Sequence, residues 1–191
     1  MTANPYNIPN FNTTWPDSVC AVLYPDNTNR STYYLHTYPT KQGAEAAGAF
    51  VTHLHPCGYC STTIDLSVYM QYPDLTDPVR DCGLKGLISE KWALQCIEAI
   101  GFTPECSKIW LYDSENTRKD CLDICLEDWI EHVPNNVPPN STNLNPCLEC
   151  DELKSGPIFK KVAGRTRRDS GITSAINRPA SHIYEVTHYY Y

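Results

Sequence analysis

A chain of 191 residues with a formal net charge of −7 is sized for one domain that buries its own core. The acidic balance argues against a general nucleic-acid binder, and no apolar run approaches the length of a membrane span. Only 19% of residues are charged and no repeat or low-complexity tract is present, so the expectation is an ordered domain, rich in loops because it carries 15 prolines.

Residues 1–16 are rich in Asn and Pro and read as an arm over the surface. Ser18 to Tyr24 is an apolar run of strand length. Pro25 to Asn29 is a turn, and Thr32 to Tyr38 is a second strand, paired with the first as a hairpin. Thr40 to Ala49 reads as a short helix weakened by Gly43 and Gly48.

Phe50 to Gln71 carries the densest set of signals. Phe50 to His55 alternates and is rich in β-branched and aromatic residues, so it reads as a strand. Pro56 and Gly58 force a turn that holds Cys57 and Cys60. Thr62 with Asp65 makes a capping box for a helix through Gln71.

Residues 72–88 contain Pro73, Pro78, Gly83 and Gly86 and read as a connector. Ser89 caps a helix that runs through Ile100 and stops at Gly101. Thr103-Pro104-Glu105 opens the next helix, with a capping threonine, proline at the first position and an acid at the positive end. A separate helix begins near Asn116 or Thr117, with Asp120 as box partner, and sets Cys121 and Cys125 one turn apart on one face. Residues 133–146 form a Pro/Asn loop. Cys147-Leu148-Glu149-Cys150 then repeats the Pro-Cys-x-x-Cys pattern of Pro56–Cys60. Pro157 to Arg168 reads as a helix opened by Ser155 and closed near Gly171. Ile183 to Tyr191 alternates as an edge strand that docks on the N-terminal sheet.

The fold class expected is α+β in a single compact domain. A small N-terminal antiparallel sheet of ββαβ type (1–71) precedes a disulfide-rich helical subdomain (72–132). After the 133–146 loop, a basic C-terminal segment (147–191) returns to the sheet.

Ten cysteines suit five disulfides in an oxidising compartment, using Cys20, Cys57, Cys60, Cys82, Cys96, Cys106, Cys121, Cys125, Cys147 and Cys150. The helical part suggests a Cys106–Cys121 or Cys96–Cys125 bridge. The alternative is an intracellular zinc-binding protein whose four thiolates are Cys57, Cys60, Cys147 and Cys150. A redox role for Cys57 and Cys60 rests on the helix dipole above them, but the elements that follow do not supply the βα units of a thioredoxin-like fold. No cofactor is favoured; zinc or another metal is the alternative. Three sequons, at Asn12, Asn29 and Asn140, lie in polar stretches that tolerate glycans. No leader follows Met1, so the secreted or extracellular reading takes a leader as removed.

His53 and His55 on one strand face form an acid–base or metal-ligating pair, with His36 or His188 as third member. The plainer reading is a polar strand face. Arg165, Arg167 and Arg168 form a cationic run with Ser170, preceded by Lys160 and Lys161 and followed by Arg178. Guanidinium forks suit carboxylate, sulfate or phosphate. The same arginines also suit pairing with the acids Asp120, Asp123, Glu127, Asp128 and Glu131. No P-loop, dinucleotide fingerprint, Gly-x-Ser-x-Gly or His-Glu-x-x-His occurs.

Two function classes follow. In the first, a secreted enzyme or binder takes an anionic small molecule or glycan in a pocket of His53, His55, His188, Arg165, Arg167, Arg168 and Ser170. In the second, the chain is an extracellular coat, matrix or filament subunit whose partners are copies of itself, with Tyr189, Tyr190 and Tyr191 among the contacts.

Overall fold

The structure, a computed structural model, describes residues 1–189. Tyr190 and Tyr191, the end of the predicted edge strand, lie outside the described residues. The fold is α+β. Strands β1 (Val19–Leu23) and β2 (Tyr34–Tyr38), helix α1 (Lys41–Ala46) and strand β3 (Phe50–Leu54) make the expected ββαβ unit. Its sheet is antiparallel, in the order β2-β1-β3. Val19, Ala21 and Val51 pack with Ala44 and Ala49 on one face. Val22 packs with Tyr24 and Leu66 on the other.

Six helices follow: α2 (Thr63–Gln71), α3 (Thr76–Lys85), α4 (Glu90–Ile100), α5 (Pro104–Ile130), α6 (Pro146–Lys154) and α7 (Gly156–Ala163). Their shared core includes Val68, Tyr69, Ile97, Phe102, Ile109 and Phe159. The local start signals act as read. The Thr62 hydroxyl accepts from the Asp65 amide at 3.0 Å and donates to its carboxylate at 2.6 Å. Ser89 caps α4, and Pro104 opens α5, but Thr103 does not cap it: its hydroxyl donates to the Asp65 carboxylate instead, at 3.0 Å.

Four expectations are corrected. Residues 76–85 are helical, not a connector. Pro78 falls in the first turn, where its missing N–H costs no helical bond, and Asp74 accepts from the Thr76 amide at 2.7 Å. Gly83 marks close packing on Ser114 of α5, where a Cβ would collide. Second, no break occurs near Asn116. The capping side chains there bond across to the α6–α7 junction: Asn116 Nδ2 donates to Ser155 Oγ at 3.1 Å, and Thr117 Oγ1 bonds Ser155 Oγ at 2.7 Å and the Asp151 carboxylate. Side chains engaged in this way do not compete with the backbone, so the helix continues. Third, the helix read over Pro157 to Arg168 ends at Ala163, where Gly164 takes φ 75°, and not near Gly171. Fourth, residues 183–189 form no strand. They do return to the sheet, where Tyr184 and Val186 pack on its Val19–Ala21 face and the Tyr189 ring meets Phe50 edge-on at 5.7 Å.

All ten cysteines are paired: Cys20–Cys57, Cys60–Cys106, Cys82–Cys96, Cys121–Cys150 and Cys125–Cys147. The bridges Cys106–Cys121 and Cys96–Cys125 are therefore not formed. Cys106 and Cys121 lie on one continuous helix and cannot reach each other. The two Cys-x-x-Cys turns never meet. Each sends its two sulfurs to separate partners, so Cys57, Cys60, Cys147 and Cys150 hold no thiolate for zinc.

Candidate functional site

The site is built where α7 ends on the cysteine turn after β3. Amides of Tyr59 and Cys60 donate to the last carbonyls of α7, Val162 O at 3.0 Å and Ala163 O at 2.8 Å. Gly164, at φ 75°, lies against Gly58, and a Cβ on either would strike the other strand's backbone. This close approach delivers Arg165 into the interior, where it is fully buried.

β3 is prepared to receive it. The ladder with β1 pairs Cys20 with His53 and then Ala21 with Val51, so Thr52 is an extra residue at a bulge. A bulged residue is released from ladder bonding. Arg165 takes it up, donating to Thr52 O at 3.3 Å and Thr52 Oγ1 at 2.6 Å. It also donates to Cys60 O at 2.9 Å, Ser61 O at 3.1 Å and Ser170 Oγ at 2.9 Å. These contacts engage Nε and both terminal nitrogens, the whole donor capacity of a guanidinium.

The two strand histidines part at the end of β3, where the backbone turns left-handed at His55. His53 points inward and is buried; Nε2 lies 2.7 Å from Ser61 Oγ and Nδ1 2.7 Å from Leu54 O. A carbonyl only accepts, so Nδ1 carries the proton and Nε2 accepts from the serine. Burial, and then the Arg165 charge, hold the His53 pKa well below its ordinary value, which keeps the ring neutral. Ser61 is equally buried, so this serine–histidine pair faces the interior. His55 lies beyond the strand at φ 74° and stacks on Trp15 of the N-terminal arm at 4.2 Å. His188 Nε2 lies 2.7 Å from Ser170 O. The structure thus groups His53, Arg165, Ser170 and His188 around one buried knot and leaves His55 apart. His36 lies on the far strand, its ring against Tyr38.

The other two arginines of the run go elsewhere. Arg167 crosses the Tyr69 ring at 5.7 Å and donates to Tyr69 O and Tyr72 O at the C-terminal end of α2, which favours a cation. Arg168, Arg178 and Lys160 converge on one carboxylate, Glu152, at 3.0, 2.7 and 2.7 Å. Burial would raise the Glu152 pKa, but Lys160, Arg168 and Arg178 outweigh it and hold the group at about 2. None of these cations pairs with the acids Asp120, Asp123, Glu127, Asp128 or Glu131.

Arg168 and Arg178 line a pocket of about 100 Å³ with Ile172, Thr173, Ser174, Ile176, Asn177 and Ile183. Each gives a single nitrogen, NH2, to Glu152; among the described residues the remaining guanidinium N–H groups are uncommitted. A larger depression of about 560 Å³ runs along α2 between Thr63 and Gln71 and, among the described residues, is lined by Thr63, Ile64, Leu66, Ser67, Met70 and Gln71, none of them ionisable. Among the described residues no group of three or more His, Cys, Asp or Glu is placed to hold a metal ion. The sequons at Asn12, Asn29 and Asn140 are all exposed.

Residues 90–186 match a family of unknown function, DUF8771, and this stretch is just over half of the chain. The chain belongs to DUF8771. No curated protein and no solved structure matches it. The DUF8771 segment runs from α4 to the C-terminal return and contains Glu152, Arg165, Arg168 and Arg178, whereas His53 and His55 precede it. Glu152 is the residue that sequence reading missed. It carries no local signal, because its three cations reach it only through the turn between α6 and α7 and the fold-back of the C-terminal segment.

Proposed function

We propose that this DUF8771 protein is a secreted, disulfide-stabilised binder that holds one anionic group of a small molecule or glycan between Arg168 and Arg178. The observation that carries this reading is the set of unspent guanidinium donors on a pocket wall. Both arginines are largely buried, with side-chain exposures of 22% and 16%, where charge-assisted hydrogen bonds are stronger than in water. The pocket volume is well below the ~300 Å³ of a whole-ligand site; it suits a single carboxylate, sulfate or phosphate group. Five disulfides are consistent with secretion. The buried His53–Ser61 pair contributes to folding in this reading, not to catalysis.

Titration calorimetry with inorganic sulfate and phosphate tests the reading. A single site that weakens with added sodium chloride is expected. Arg168→Gln and Arg178→Gln should each weaken it roughly 10- to 100-fold, the value of one charged hydrogen bond. Glu152→Gln should tighten it, because the internal carboxylate competes for the same donors. Equal binding by wild type and both arginine variants would refute the proposal.

A further inference from the structure

The second half of α5 presents an apolar stripe that nothing in the described chain covers. Leu122, Leu126, Trp129 and Ile130 recur at helical spacing and are 51%, 46%, 58% and 63% exposed. Isolated exposed leucines are ordinary, but contiguous ones mark contact surfaces. The flank of the same helix beside the stripe is fixed: Cys121 and Cys125 bond to Cys150 and Cys147 of α6. The stripe is therefore displayed on a covalently braced helix, which lowers the ordering cost of binding.

Charge selects the occupant. Asp123, Glu127 and Glu131 form an exposed row at i, i+4 and i+8 along one edge of the stripe. None of the three is in an ion pair or side-chain hydrogen bond within the described residues, and the arginines that might have neutralised them are engaged by Glu152 or by backbone carbonyls. A second copy packed stripe to stripe would bring two acidic rows together. An anionic lipid surface would be repelled by the row.

We propose that this face of α5 docks a basic amphipathic helix of a partner protein. Apolar residues of the partner would cover Leu122, Leu126 and Trp129, and its Lys or Arg side chains would pair with Asp123, Glu127 and Glu131. An apolar face laid on an apolar surface, with charges setting orientation, is a recurrent mode of helix recognition. The surface is separate from the Arg168/Arg178 pocket, so the two proposals stand or fall independently.

The test uses the full oxidised chain and a fluorescein-labelled Leu/Lys peptide of about 18 residues, five helical turns, with leucines at i, i+3, i+4 and i+7. Controls are the same composition in an order without helical periodicity, and a Leu/Glu peptide with the original spacing. Fluorescence anisotropy should show the Leu/Lys peptide binding about tenfold or more tighter than either control. Asp123→Asn/Glu127→Gln/Glu131→Gln together, and Leu126→Ser/Trp129→Ser separately, should each weaken it about tenfold. Circular dichroism verifies that both variants fold, as substitutions on the exposed side of a doubly bridged helix should. Three results would each overturn the proposal: equal binding of the aperiodic peptide, unchanged affinity in both variants, or sedimentation showing that the stripe is already covered in a dimer. Binding confined to phosphatidylglycerol vesicles would overturn it too, in favour of a lipid surface.

Discussion

Replacing Arg165 with lysine measures what its burial is for. The guanidinium satisfies Thr52 O, Thr52 Oγ1, Cys60 O, Ser61 O and Ser170 Oγ. A lysine has one nitrogen and three donors, so at least two of these acceptors lose their partner. A buried polar atom left unsatisfied costs about 1–3 kcal/mol, which gives about 2–6 kcal/mol for Arg165→Lys. For a chain of this size each kcal/mol moves Tm by roughly 2–4 °C, so a loss of about 3 kcal/mol lowers Tm by some ~6–12 °C. Non-reducing calorimetry or near-ultraviolet circular dichroism reads the shift. Sulfate affinity, measured below the transition, should change little. A Tm shift under about 2 °C combined with lost anion binding would refute the reasoning, because Arg165 would then be serving a ligand instead of the fold.

Four further outcomes are expected. Thiol titration of the denatured, unreduced chain should find none of the ten cysteines free; removing Cys60–Cys106, with a separation of 46, should destabilise more than removing Cys82–Cys96, with a separation of 14, at about 4 against about 3 kcal/mol by loop closure, as thermal melts of the paired Cys→Ser variants would show. Burial, and then Asp151, push the Asp113 carboxyl well above its usual range, so its contribution is complete below the unfolded carboxyl pKa of about 3.9 and is lost as pH rises through the folded value; Asp113→Asn, still within reach of the Tyr6 hydroxyl, should be more stable than wild type at neutral pH and equal or less stable at acidic pH in melts across that range. Expression through a eukaryotic secretory route should attach glycans at Asn12, Asn29 and Asn140, detected as a mass loss on deglycosylation and abolished by Asn→Gln at each position.

Local signals were legible in the sequence where the physics is local. Thr62 with Asp65, Ser89, and Pro104 each fix a helix start within a single turn, and the ββαβ order follows from strand-length runs and turn residues. Where tertiary partners take over, the same residue types mislead. Gly83 resembles a breaker but is the space into which Ser114 of α5 packs. Asn116 and Thr117 resemble caps but bond to Ser155. The alternation of Phe50–His55 implied two histidines on one face; the end of β3 at Leu54 and the left-handed backbone at His55 part them. The fold-back of the basic run onto the β3 turn was foreseeable as a question, from charge in an acidic chain. Which arginine goes inward and which reach Glu152 depends on the Gly58–Gly164 contact, which is set by the assembled fold.

The five disulfides have a consequence for how the chain acquires its structure. Written along the sequence they nest like parentheses: Cys20–Cys57 closes alone, Cys60–Cys106 encloses Cys82–Cys96, and Cys121–Cys150 encloses Cys125–Cys147. No pair interleaves with another, so no segment must be threaded through a loop already closed. Each loop can be sealed as soon as its own second cysteine leaves the ribosome, in N- to C-terminal order. The chain after Cys150 has no sulfur link; the hydrogen bonds of Arg165 and Arg167 to residues 52–72 tie it down instead.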